Sequence, residues 1–240
     1  MNSLWLKIIA LVAMIIDHMG AAFPETFGFE FRVIGRIAFP IFVFLIAEGF
    51  YHTLKSEDKF RSVKFLMRLL IFALISEPFY DLAINHAANF QINFLSHTNI
   101  FYTLFLGGAA IVAYEYIREK SHVLAFLPVA LFMLLAEILT TDYGAYGVIF
   151  IFTMYVLRHW DKKLVAMALL CLWQHYAMIH ALFTYGTGAY QPIAWMLIPA
   201  TLVPVLLVAF YNGKRGMSLK WFFYAAYPVH LAVIALVRLL

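Results

Sequence analysis

Three ionisable residues, Lys7, Asp17 and His18, lie within one apolar stretch that runs from Leu4 to Phe23. Charged side chains are costly at membrane depth, so they usually face the protein interior, pair with partners and mark functional sites. Lys7 and His18 are eleven residues apart, which is about 16 Å and about three turns along a helix, so both lie on one helix face. The spacing predicts a buried imidazole and, nearer one membrane surface, a cation on the same face.

Asp17 and His18 are sequence neighbours that point about 100° apart on a helix, so each needs its own partner. We predict that Asp17 pairs with Arg36, which enters the second apolar segment at a comparable depth, because such charges are tolerated mainly as a hydrogen-bonded pair. An unperturbed histidine side chain titrates near neutral pH, which makes His18 a candidate general base. The alternatives are a packing histidine bonded to a backbone carbonyl for His18 and a snorkelling interfacial cation for Lys7.

Two further pairs of ionisable residues are spaced four apart, which places each pair on one helix face. Glu48 and His52 either line a polar entrance or face water where the second segment ends. Glu77 and Asp81 flank Pro78, and they either do acid and base work or form a solvated helix end. We assign Glu77 and Asp81 to acceptor binding and Glu48 to the donor site.

The last segment and the loops add polar candidates. His230 is predicted at a depth close to that of His18, with Tyr227 beside it, and either completes the site or simply packs. The loop residues from His86 to Gln91, with His97 and Asn99, either contact an acceptor or are merely solvated; we assign Asn99 to acceptor binding.

The turn from Tyr211 to Gly216 combines two glycines with Lys214 and Arg215. Free backbone amides and positive charge suit a phosphate or pyrophosphate, and Asn212 belongs to the same turn. The alternative is an ordinary basic loop on the cytoplasmic side of a membrane protein.

Composition predicts the class of protein. Of 240 residues, 65% are hydrophobic and 12% charged, whereas a soluble domain is about half apolar. The net charge of +4 does not indicate nucleic-acid binding, because the basic residues form short clusters between apolar runs. We therefore predict an all-α, polytopic protein of a cell membrane, with one domain over residues 1–240. Its nine apolar segments are Leu4 to Phe23, Val33 to Thr53, Val63 to Ile84, Ile100 to Ile117, Val123 to Leu139, Tyr143 to Leu157, Leu164 to Phe183, Ile193 to Tyr211 and Leu219 to Leu239.

The loops alternate in basic residues, which predicts their sides. Lys and Arg concentrate in the loops after the second, fourth, sixth and eighth segments, and these loops are expected in the cytoplasm. Arg32 and Arg36 in the first outer loop are the exception. Nine spans place the amino terminus inside and the carboxyl terminus outside.

Several chemistries are excluded by the sequence. It contains no H-E-x-x-H motif, no G-x-S triplet within an apolar segment and no Walker-type loop, and no metal is expected. Its one cysteine, Cys171, rules out a disulfide within the chain. Histidine-centred chemistry at membrane depth, or a proton or solute path built from the same groups, remains.

Six motifs in order resemble the TraX family. They are LKIIALVAMIIDHMG (Leu6 to Gly20), GRIAFPIFVFLIAEGF (Gly35 to Phe50), RLLIFALISEPFYDL (Arg68 to Leu82), DYGAYG (Asp142 to Gly147), YNGKRG (Tyr211 to Gly216) and FFYAAYPVHL (Phe222 to Leu231). The named member of that family is associated with acetylation of the amino terminus of F-type pilin. More distantly, Lys7 and His18 look like the basic-residue and histidine signature of acyltransferase-3 enzymes.

The resemblance implies a transmembrane acyl transferase-like bundle that moves acetyl groups from cytoplasmic acetyl-CoA to an amine or hydroxyl acceptor on the far side of the membrane. It also implies that Lys7, His18 and Arg36 are site residues, and it favours contact between the 211–216 turn and coenzyme A phosphates. The acceptor, a pilin amino terminus or a surface glycan or lipid, is left open. A proton-coupled transporter or channel, and a non-catalytic assembly factor, are the alternative functions. A homodimer is a further expectation.

Overall fold

The computed structural model describes residues 1–56, 58, 60–85, 97–190 and 192–240, without the side chain of residue 189. The stretch from His86 to Gln91 that was considered for acceptor contact lies outside the described residues. Over the described chain the structure is helical and has no strand, which confirms the all-α prediction. The elements are α1 (Ser3–Ala22), α2 (Pro24–Phe27), α3 (Glu30–Gly35), α4 (Ala38–Leu54), α5 (Phe60–Ala83), α6 (Ile100–Arg118), α7 (Phe126–Ile138), α8 (Gly144–Val156), α9 (Trp160–Trp173), α10 (Tyr176–Tyr185), two short 3-10 helices (Thr187–Ala189 and Pro192–Met196), α11 (Leu197–Ala209) and α12 (Lys220–Leu239).

Several helices are long and apolar enough to cross a membrane, as expected of an integral membrane protein. Within the described residues there are five such spans, or six if α9 and α10, which meet at a 65° bend, count as one; the five are Ser3–Ala22, Glu30–Leu54, Ile100–Arg118, Pro192–Ala209 and Lys220–Leu239. Helix α5 has 24 residues but carries more charge. The predicted count of nine is therefore not confirmed.

Helices α7 and α8 account for two of the predicted spans that this count lacks. Each has 13 residues, or about 20 Å at 1.5 Å per residue, against a hydrocarbon core about 30 Å thick. They form a hairpin that packs against α6. The exposed side of α7 is an apolar stripe at helical spacing, Leu127, Leu131, Leu134 and Ile138, as expected for a lipid-facing surface.

The chain forms two compact units, and each is discontinuous in sequence. The first contains residues Met1–Phe42 and His159–Lys220, and the second contains Val43–Arg158 and Trp221–Leu240. The single-domain prediction stays a prediction.

In the first unit the start of α1 is tied to the 211–216 turn. The Ser3 backbone N donates to the Lys214 carbonyl at 2.9 Å, and the Ser3 hydroxyl donates to the Arg215 carbonyl at 2.7 Å. The Trp160 ring at the start of α9 lies 6.4 Å from the Tyr211 ring. The charge pattern places these three ends on one side of the membrane, which agrees with their contact.

The second unit is built around α6, whose inner face is buried. A Cβ at Gly107 would lie 2.5 Å from the Ile151 side chain, and one at Gly108 would lie 2.4 Å from the Phe50 ring, so these glycines permit close helix packing. At one end of this unit, Thr98 backbone N donates to the Thr140 carbonyl at 3.1 Å, which joins two of the predicted outer loops. Which end faces the cytoplasm stays a prediction.

Candidate functional site

The centre of the first unit is a carboxylate held by two arginines. Asp17 Oδ1 accepts from Arg36 Nη2 at 3.0 Å, which confirms the predicted pair. Asp17 Oδ2 accepts from Arg32 Nη1 at 2.7 Å, and the same nitrogen lies 3.2 Å from the Asp17 backbone carbonyl. Arg36 Nε in turn donates to the Arg32 carbonyl at 3.1 Å. We call Asp17, Arg32 and Arg36 the arginine clamp; with all three ionised, its net charge is +1.

Glycine permits the close approach of α1 and α3 at the clamp. A Cβ on Gly35 would lie 1.9 Å from Asp17 Oδ1, which is far inside van der Waals contact. A Cβ on Gly20 would lie 2.7 Å from the Phe31 Cβ. The clamp therefore depends on two residues without side chains as well as on its three charges.

His18 lies beside the clamp in sequence and is buried, with 7% of its surface exposed. It lies in α1 fifteen residues beyond Ser3, or about 22 Å into the helix. Because Arg32 and Arg36 hold the neighbouring Asp17, they fix the rotation of α1 about its axis and thereby the direction in which His18 projects. A buried imidazole with a fixed helix rotation can take up and return a proton at a defined depth.

The predicted donor residues gather at the start of α1. Lys7 is half-buried and lies within electrostatic range of Arg215, while Lys214 and Arg215 are exposed. The turn is fixed by its own contacts: Asn212 Oδ1 accepts from the Lys214 backbone N at 3.1 Å, and Asn212 backbone N donates to the Met1 carbonyl at 2.9 Å. Positive charge and left-handed glycines at this end are suited to a phosphate group, although the basic-loop alternative predicts the same exposure.

Four acceptor candidates lie in the second unit, and two of them contact each other. Glu77 Oε2 accepts from the Asn99 backbone N at 3.1 Å and from Asn99 Nδ2. Asn99 also caps α6 by accepting from the Phe101 backbone N at 3.0 Å. Both side chains are fully buried, so the bond gives them a structural role, while Glu77 Oε1 has no hydrogen-bond partner in the described part of the chain. The solvated helix end considered for Glu77 is wrong.

The other two acceptor candidates differ in their surroundings. Asp81 is 1% exposed and accepts from Asn85 Nδ2 at 2.8 Å; that nitrogen also donates to the His97 carbonyl at 2.7 Å. Tyr227 is 2% exposed, and its ring makes a T-shaped contact with the Phe101 ring at a centroid distance of 4.9 Å.

His230 and Glu48 also belong to the second unit, whereas His18 belongs to the first. The His230 Nδ1 is 2.8 Å from the Ala226 carbonyl of its own helix, so Nδ1 carries the proton, as the packing alternative predicts. Glu48 Oε1 accepts from Arg158 Nη1 at 3.3 Å, and the Arg158 guanidinium lies 3.4 Å from the centre of the Tyr51 ring. Their catalytic and donor roles stay predictions.

Sequence reasoning gave two residues of the first unit too little weight. Arg32 was treated as an exception to the charge pattern, yet its spacing of four from Arg36 already placed both cations on one helical face. Gln174, His175 and His180 are only weaker candidates on the sequence, as polar residues of the seventh apolar segment, and the structure places the first two at the break between α9 and α10.

The chain matches the TraX protein family over residues 3–238. It belongs to the TraX family. This TraX-family chain is 30% identical over 248 residues to a probable fimbrial assembly protein FimC, serogroup H1, of Dichelobacter nodosus, covering 95% of this chain and 92% of the relative. It is also 26% identical over 181 residues to an uncharacterized protein, RP591, of Rickettsia prowazekii (strain Madrid E), covering 74% of this chain and 64% of the relative. No solved structure matches.

Proposed function

We propose that this TraX-family protein is an integral membrane acetyltransferase that moves an acetyl group from cytoplasmic acetyl-CoA to an amine or hydroxyl on the other side of the membrane. The observation that carries the proposal is the buried His18 at membrane depth, next to a carboxylate that two arginines hold. This arrangement supplies a base, a fixed orientation and a surplus positive charge within one unit.

In the proposed reaction, the acceptor nitrogen or oxygen attacks the thioester carbonyl carbon while His18 takes the proton of the acceptor. The carbonyl oxygen becomes negative, and Arg36 stabilises that charge. The C–S bond then breaks, and the sulfur leaves with the proton that the His18 imidazolium returns. The products are the acetylated acceptor and free coenzyme A, and no other reactant is needed. An acetyl-histidine intermediate at His18 would give the same products.

The donor is proposed to bind at the start of α1. Lys214 and Arg215, with Lys7 one turn inside the helix, supply positive charge for the phosphates of coenzyme A. Asn212 shapes the turn that presents them. Glu48 remains a proposed donor contact in the second unit. On this assignment the 3′-phosphate and pyrophosphate of coenzyme A are recognised from the cytoplasm.

Glu77, Asp81, Asn99 and Tyr227 are proposed to bind the acceptor. Glu77 Oε1 supports this assignment best, because it is a buried acceptor atom to which no described residue donates. His230 is proposed as a further catalytic residue in the second unit, where its Nδ1 lies 2.8 Å from the Ala226 carbonyl.

The test is transfer from labelled acetyl-CoA by purified protein in detergent to a panel of peptides with free amino termini, glycans and lipids. We expect wild-type transfer and a loss of at least about 100-fold in His18→Ala, the effect of removing a general base. His122→Ala, an exposed histidine, is the matched control and should transfer normally. Equal transfer by wild type and His18→Ala, with unchanged thermal unfolding, would overturn the proposal.

A non-catalytic assembly factor is the second candidate, because one relative is described as a probable fimbrial assembly protein. A strain that lacks this protein separates the two functions. His18→Ala restores surface-fibre assembly in that strain if the protein acts only by binding, and it fails to do so if acetyl transfer is required.

A further inference from the structure

The seventh predicted span is not one helix. Helices α9 and α10 meet at an angle of 65°, and Gln174 and His175 lie between them. Broken helices at membrane depth are tolerated where they are buried in protein or line a cavity, and in membrane proteins they often form ligand sites. The break lies in the first unit, which also contains the arginine clamp.

His175 is the polar residue buried at this break. It is 9% exposed, and its Nε2 is fully buried with no hydrogen-bond partner among the residues that the structure describes. A buried polar atom without a partner destabilises the folded protein, because the atom has lost its hydrogen bonds to water. Buried polar groups are nearly always hydrogen-bonded, so a buried imidazole nitrogen without a partner indicates a site for a ligand.

His175 and His18 lie at matching depths. His18 is fifteen residues beyond Ser3 at the start of α1, and His175 is fifteen residues beyond Trp160 at the start of α9, or about 22 Å in each case. Ser3 and Trp160 both meet the 211–216 turn, so the two helices enter from one end. Arg36 of the clamp lies within electrostatic range of the His175 ring. Three functional groups are thus assembled in one unit, from α1, the end of α3 and the break.

We propose that His175 is a second catalytic histidine, whose Nε2–H donates a hydrogen bond to the thioester carbonyl oxygen of the acetyl donor beside Arg36. This inference rests on the proposed acetyl transfer. When the acceptor attacks, the carbonyl electron pair moves onto oxygen, and two donors then share the negative charge. His175 keeps its proton throughout, while His18 takes the acceptor proton and gives it to the departing sulfur.

The test compares three variants by kcat, by KM for acetyl-CoA and by binding of coenzyme A. In His175→Phe we expect kcat to fall by about 100- to 1,000-fold, the loss of one donor to a developing oxyanion, with KM for acetyl-CoA within about twofold. In His175→Gln, whose amide nitrogen can replace Nε2–H, kcat should recover at least about tenfold over His175→Phe. His180→Gln, at an exposed position on α10, is the matched control and should behave as wild type.

Each outcome has a defined meaning. A wild-type kcat in His175→Phe overturns the inference. An equal loss of kcat in His175→Phe and His175→Gln also overturns it, provided that both variants bind coenzyme A normally. Equal losses would show that His175 acts as a proton acceptor, which glutamine cannot replace, and not as a hydrogen-bond donor. A wild-type protein with no His18-dependent transfer overturns the proposed function together with the inference. Transfer that depends on His18 but not on His175 overturns the inference alone.

Discussion

At Asp17, one carboxylate compensates two guanidinium groups, and its side chain is only 15% exposed. Replacing it with asparagine removes the counter-charge that both arginines share, and breaking a buried pair in this way costs about 3–5 kcal/mol. We expect Asp17→Asn to lower the free energy of unfolding in mixed micelles by about 3 kcal/mol. Arg32→Gln should cost less than about 1 kcal/mol, because Arg32 is 34% exposed and Arg36 still pairs with Asp17.

Asp161→Asn, at an exposed position on α9, is the control for the loss of a negative charge. A loss in Asp17→Asn no larger than in Asp161→Asn would contradict the structural role of the clamp.

Gly35 gives a steric test of the same clamp. A methyl group there would meet Asp17 Oδ1 at 1.9 Å, so Gly35→Ala must push the carboxylate away from Arg36 or separate α1 from α3. Overpacking of this kind costs about 1–3 kcal/mol. We expect that loss in the free energy of unfolding, together with a lower rate of the proposed acetyl transfer. Gly188→Ala is the matched control, since nothing lies within 4 Å of a Cβ there, and unchanged stability in both variants would contradict the close approach.

For single residues, the sequence predicted which charged groups need a partner better than it predicted which residues meet. Asp17 and Arg36 were paired because an unpaired charge at membrane depth is destabilising. The bond between Glu77 and Asn99 was missed although both residues were candidates, because they are 22 positions apart with a loop between them. Residue types show which groups need partners, whereas the choice between distant partners requires the packing of α5 against α6.

At the scale of elements, α1 and α6 both begin at an asparagine that accepts a backbone N–H, but the two caps differ in burial. Asn2 lies near the surface and accepts from Trp5 at 3.2 Å, whereas Asn99 is fully buried and also donates to Glu77. A lost cap costs about 1 kcal/mol, and a buried carboxylate left without donors adds about 1–3 kcal/mol.

We therefore expect Asn99→Ala to lower the free energy of unfolding by about 3 kcal/mol and Asn2→Ala by about 1 kcal/mol, measured in the same micelles. Equal losses in the two variants would show that the buried bond from Asn99 to Glu77 adds nothing to the cap.

Helix lengths were the least predictable feature of the elements. Hydropathy treats residues 123–139 and 143–157 as spans, but the helical parts end after 13 residues each. The turn between them needs Thr140 and Gly144 in left-handed conformations, which shortens both helices. The break at Gln174 and His175 was also missed, since an apolar average over the segment hides two polar residues.

At the scale of the whole molecule, the loop charges predict four testable positions. Cys171 is fully buried, so it leaves the native chain without a reactive background thiol. In intact cells a membrane-impermeant maleimide should label Gly188→Cys and Thr140→Cys, while His122→Cys and Ser218→Cys should react only after lysis. Labelling of Ser218→Cys in intact cells would invert the orientation. If Thr140→Cys is not labelled in intact cells, the α7–α8 hairpin does not cross the membrane.

Composition alone predicted a helical membrane protein, because 65% of the residues are hydrophobic and few charges remain for a soluble domain. The division into two units was not predictable, since it follows contacts between α1 and residues about 200 positions later. Local patterns define helices, whereas the closure of such distant segments depends on three-dimensional packing.

The discontinuous units impose an order on biosynthesis. Asp17 can pair with Arg32 and Arg36 once the nineteen residues after it have been synthesised, so this buried charge is neutralised early. The hydrogen bond from Ser3 to Lys214 can form only about 200 residues later, which is roughly 10–40 s of translation. Arg238 contacts the last carbonyls of α5 only when synthesis is almost complete. A ribosome stalled between α8 and α9 would therefore hold a chain in which the clamp residues are complete but the 211–216 turn, the proposed donor contact, has not yet been made.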